Sequence, residues 1–134
     1  MRELTDQPDE RVKLYIKFIE ARTDGIHQTV RRAPDQHPGA DIHNFLEEFT
    51  RLTDELADNF DAYEQQHVDV RKSLKFFAEH SAKWPAILNE PPSSPEYDFA
   101  RKTAQEALDS ARKTGAELLK EQEVYFAKHK TPKT

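Results

Sequence analysis

Apolar and polar positions along this chain recur with the period of an α-helix, and two segments rich in proline or glycine interrupt the pattern. In the first stretch Val12, Ile16, Ile19, Thr23, Ile26, Val30 and Ala33 follow one another at alternating spacings of four and three, with Tyr15 and Phe18 widening the stripe. Pro8 suits a first helical turn, and Asp9 and Glu10 suit its positive end. The pattern predicts a helix over about 8–33 that runs through Gly25, and a loop over 33–39.

The second stretch has no Gly or Pro from Asp41 until Pro85. One heptad frame fits throughout, with Ile42, Phe49, Leu56, Tyr63, Val70, Phe77 and Trp84 at one seam position. Leu46, Thr53, Phe60, His67, Leu74, Ser81 and Leu88 occupy its companion. Unbroken phase predicts one continuous helix over about 41–84, ending where Pro85 disfavours helical geometry at Trp84. The alternative is a break near 66–69, giving a four-helix bundle, but no breaker residue stands there. A second loop covers Asn89–Pro95. The third stretch begins with Ser93 and Glu96 as a capping box, or with Ser94 as cap before Pro95. Tyr97, Ala100, Ala104, Ala107, Leu108, Ala111, Gly115, Leu118, Gln122 and Tyr125 form its inner face. The expected fold is all-α: one domain over 1–134, an antiparallel bundle of three long helices at about 8–33, 41–84 and 95–130.

Composition narrows the function more by exclusion than by signature. The absence of cysteine removes disulfides, iron–sulfur clusters, thiolate zinc sites and cysteine nucleophiles. No apolar run approaches the roughly 20 residues of a membrane span. The first residues carry no signal-peptide pattern, so the chain as written reads as cytoplasmic; a mature periplasmic domain with its signal removed would read the same. From Asp41 to Glu64 eight acids stand against one base, Arg51, in a chain of net charge −5. Nucleic acid is therefore not an expected partner, whereas a basic protein suits that face. Antiparallel folding is expected to lay Arg11, Lys13 and Lys17 beside the acidic half, with Lys120 and Lys128 converging there from the third helix.

Candidate chemistry is sparse. Three scattered glycines build neither a phosphate loop nor a nucleophile elbow, and haem ligation lacks its motif, so no catalysis and no cofactor are expected. Glu64 and His67 have the Glu-x-x-His spacing that di-iron bundles use in pairs. The only partner pattern, Asp24 to His27, would lie about 30 Å away along the helix, so His67 reads as a polar seam residue. A better metal candidate is His27 facing His43 and Glu47 across the first helix pair, a set suited to zinc or another divalent ion. The heptads resemble those of spectrin-type repeats and many other bundles in periodicity alone, which implies no function.

The expected function is a non-catalytic helical interaction or structural module that self-associates; the alternative is a metal- or small-ligand-binding bundle. The expected seam is the far end of the long helix. Phe76, Phe77, Trp84 and Ile87 there offer more apolar surface than one alanine-rich helix covers, so a homodimer would hide the excess.

Overall fold

A computed structural model describes residues 7–32 and 39–128. These form five helices and no strand: α1 (Pro8–Arg31), α2 (Gly39–Gln66), α3 (Arg71–Ser81), α4 (Trp84–Leu88) and α5 (Asp98–Lys128). The predicted loop over 33–38 and the C-terminal fray near Lys130 lie outside the described residues.

The periodicity locates the inner faces. Val12, Ile16, Ile19, Thr23 and Ile26 of α1 are buried, as are Ala100, Ala104, Leu108, Ala111, Gly115, Leu118 and Gln122 of α5. Every residue at the first heptad position, from Ile42 to Trp84, is buried. Gly25 has a packing reason: a Cβ there would lie 2.6 Å from the Phe45 ring. Gly39, at the start of α2, lies under the Glu96 carboxyl group, which sets a negative charge at the positive end of that helix.

The long helix does not run unbroken from 41 to 84. It ends at Gln66, and the chain reverses before α3. The break has a defined cap. His67 takes the left-handed conformation (φ 55°), and its N–H donates to the Glu64 carbonyl at 3.2 Å. The Val68 N–H donates to the Tyr63 carbonyl at 2.9 Å, completing the paired bonds of a Schellman motif. Glycine usually fills the left-handed position; histidine there costs about 1–2 kcal/mol. The His67 ring recovers a contact by stacking on Tyr125 of α5, centroids 4.3 Å apart.

Beyond the cap, Val68 and Val70 are closed off by a residue of another helix. Gln122 of α5 is 2% exposed. Its Nε2 donates to the Val68 carbonyl at 2.7 Å, and its Oε1 accepts the Val70 N–H at 3.0 Å. One side-chain amide thus satisfies a backbone donor and a backbone acceptor of the turn. Asp69 then accepts from the Arg71 N–H and guanidinium, and those bonds hold its carboxyl below the usual range.

The reversal sets the packing. α1 packs on α2 and α3, α5 packs on α2 and α3, and α2 faces α3 across the core through Phe60 and Phe77. The pairs Tyr15–Glu55 and Arg22–Glu48 show that α1 and α2 run antiparallel. Ser73–Asp9 and His80–Glu20 show that α3 runs parallel to α1. α5 runs beside α2 in the same direction, with Glu96 over Gly39 and Tyr125 against His67. The charge expectation therefore holds only in part. Arg11 shares a groove with Glu55 of α2, but Lys13 lies over the Phe76 ring and Lys17 lines a groove with His80. Lys120 faces α3 rather than the acidic half of α2.

The last long helix starts at Asp98, later than Pro95, after a turn in which the Ser94 hydroxyl accepts the Glu96 N–H at 3.2 Å and the Ser94 carbonyl accepts the Asp98 N–H at 2.9 Å, and the Asp98 carboxylate reaches back to hold that turn. It accepts from the Ser93 hydroxyl and the Ser94 N–H, bonds that hold its own carboxyl below the ordinary range. Pro85 falls in the first turn of α4, where its missing N–H breaks no helical bond.

Replacing Gln122 by Met should expose this dependence. The side chain keeps its bulk but leaves the buried Val70 N–H and the part-buried Val68 carbonyl unpaired, a loss of about 1–3 kcal/mol. Urea denaturation should show a midpoint well below that of the wild type with an unchanged slope. A variant within about 0.5 kcal/mol, the scatter of a neutral surface change, would contradict the assignment.

Candidate functional site

The residues expected to gather at a metal site do not converge. His27 turns away from α2, and its Nδ1 lies 2.6 Å from Glu90 in the second loop, just after α4. His43 pairs within its own helix, its Nε2 3.2 Å from Glu47, and both face the groove between α2 and α5. Antiparallel pairing does place 27 and 43 at one level of the bundle. They diverge because α4 lies against α1 on one side while α5 lies against α2 on the other. Among the described residues no group of three or more His, Asp and Glu side chains is placed to hold a metal ion.

The segment expected to be uncovered is covered within the chain. Phe77 and Trp84 are 1% and 0% exposed, and Phe76 and Ile87 are half-buried. The break at His67 explains the difference. It brings α3 and α4 back alongside α1, so two helices cover them rather than one. Phe77 meets Phe60 and Trp84, Trp84 also meets Phe49, and its indole N–H donates to Glu20 at 3.3 Å. The folding back of Leu88 completes the closure: it is fully buried.

The apolar surface that stays exposed is elsewhere. Leu14 and Phe18 of α1 are 49% and 42% exposed, one turn apart on one face. They line a groove of about 750 Å³ between α1 and α2, with Tyr15 and Leu52 beside them and Arg11, Arg22, Arg51, Glu10 and Glu55 around them. Polar partners are in place on its α2 side: the Tyr15 hydroxyl donates to Glu55 at 3.2 Å, and Arg22 Nε donates to Glu48 at 2.8 Å. The sequence signal for this surface is a second apolar pair four residues apart on the outer side of α1, easily overlooked beside the stronger inner stripe.

A second groove, of about 700 Å³, runs between α2 and α5 and is strongly acidic. Glu47, Asp54, Asp58 and Glu96 line it, with Phe99 standing 80% exposed at its edge. Burial first, and then the neighbouring Asp58 charge, push the Asp54 carboxyl above its ordinary range. No helix among the described residues is long and apolar enough to cross a membrane. No family model, no curated protein and no solved structure matches the chain.

The separation of His27 from His43 and Glu47 has a direct consequence. Equimolar zinc should shift the melting temperature by no more than about 1 °C, because a site that binds the native state tightly would raise it measurably. A zinc-dependent rise of about 5 °C or more, on the order of 1 kcal/mol for a chain of this size, would contradict the placement of these residues.

Proposed function

We propose that this protein is a non-catalytic helical interaction module that associates with itself as a homodimer. The observation that carries the reading is the Leu14–Phe18 face. Two large apolar side chains stand half in water on a rigid helix, over an open groove with charged edges. Contiguous apolar surface rimmed by polar groups is characteristic of protein interfaces. Titratable groups around it are engaged in ion pairs and hydrogen bonds, an arrangement that supports positioning rather than proton transfer. The whole-chain charge is also compatible with self-association, since −5 is spread over a surface that carries both signs.

A second reading rests on the α2–α5 groove. Its carboxylates and the exposed Phe99 ring suit a basic partner protein, with a cation over the ring and its neighbours paired with Asp54 and Asp58. A metal-binding role has less support, given the separation of His27 from His43 and Glu47.

Light scattering coupled to size exclusion tests the first reading. At micromolar concentration the wild type should elute with twice the mass of one chain, dissociating on dilution as a single-site equilibrium does. A monomeric mass up to the highest soluble concentration would reject self-association.

A further inference from the structure

We propose that the dimer seam is α1 against α1 of a second copy, antiparallel, about a two-fold axis passing between Leu14 and Phe18. This inference rests on the self-association reading and names its surface.

The residues at positions 10, 14, 18 and 22 recur every four along α1 and form one ridge on its outer side: Glu10, Leu14, Phe18 and Arg22. The ridge is apolar in the middle and oppositely charged at its two ends. A two-fold axis between Leu14 and Phe18 sets each Leu14 against Phe18 of the second copy. The same operation sets each Glu10 against Arg22 of the second copy, so all four ridge positions find a complement. Such a surface matches itself, as an isologous interface requires. The parallel arrangement would oppose Glu10 to Glu10 and Arg22 to Arg22, which like-charge repulsion disfavours.

Distances agree with this arrangement. Glu10 and Arg22 are twelve positions apart, about 18 Å along a helix at 1.5 Å per residue. The two Glu10 carboxylates of a dimer would be separated by the same length, beyond a Debye length at physiological salt. Packed helices stand about 8–10 Å apart, within the joint reach of a glutamate and an arginine. Arg22 uses Nε for Glu48 and Nη1 for the Phe18 carbonyl, which leaves Nη2 for Glu10 of the second copy. Among the described residues the other exposed large apolar side chains, Phe99 and Val124, stand about 37 Å apart on α5 by the same rise per residue and form no comparable patch.

Charge reversal tests the seam without touching the core. Glu10 is exposed, and Arg22 is half-exposed. E10R and R22E should each weaken the dimer at least tenfold in sedimentation or light scattering; E10R retains helical content and melting behaviour, whereas R22E retains helical content but melts somewhat lower because it loses the bond to Glu48. An equimolar mixture of E10R and R22E should recover a dimer within about threefold of the wild-type affinity, because every ridge end then faces its opposite. Leu14→Glu should abolish the dimer through the centre of the seam and provides a reading independent of Arg22 and its bond to Glu48. A dimeric wild type with E10R and L14E unchanged would overturn this seam and leave self-association standing. A mixture as weak as the single variants would overturn the antiparallel arrangement. A monomeric wild type would overturn both the seam and the self-association reading.

Discussion

A helix that stops against a neighbouring helix leaves backbone groups without intrahelical partners, and the fold of this protein rests on how those groups are satisfied at one turn. The Schellman bonds from His67 and Val68 close the end of α2. The Gln122 amide closes the segment between α2 and α3, accepting from Val70 and donating to Val68 from a helix more than fifty residues away. An unpaired buried backbone group costs about 1–3 kcal/mol, a large share of the stability of any domain. The turn is therefore not a local event. It forms with α5 in place, and it fixes α5 in return.

The rest of the packing is a consequence of that reversal. α3 and α4 return along α1, where His80, Lys83 and Trp84 all approach the Glu20 carboxylate. Phe77 and Trp84 then enter the core between Phe49 and Phe60, giving a continuous set of edge-to-face rings. α5 is left with the side of the bundle between α2 and α3. Its alanines keep it close there, and at Gly115 a Cβ would make ordinary contact with Phe60 and Phe77 at 3.4 and 3.5 Å. With the inner surfaces used up, α1 keeps Leu14 and Phe18 half-exposed together on one face, the only such pair among the described residues.

The sequence makes the buried faces legible but not the break, and both have the same cause. Heptad positions report which side chains face the core, and at the first seam position they do so from Ile42 to Trp84 without error. The turn at 67–70 spans four residues, about one helical repeat, so the phase passes through it unchanged. A glycine at 67 would have marked the left-handed cap. Histidine does not, because the conformation there is held by Tyr125 and Gln122, contacts that no local pattern displays. The break stands where the four-helix alternative put it, near 66–69, and preferring the unbroken helix misplaces the exposed surface: a straight helix would have left Phe77 and Trp84 uncovered, whereas the folded one buries them. The metal candidates show the same limit. Register along α1 and α2 sets His27 and His43 at one level, but which side each faces depends on where α4 and α5 pack.

Amide hydrogen exchange at Val70 tests the central claim most directly. Its N–H lies outside any regular helix and is bonded through the Gln122 side chain. If that bond holds the reversal, Val70 exchanges only when the domain opens globally, with a protection free energy equal to that of the slowest α2 and α5 amides. Exchange at Val70 as fast as at a solvent-exposed loop amide, while α2 and α5 stay protected, would show that the turn opens on its own and that Gln122 does not hold it.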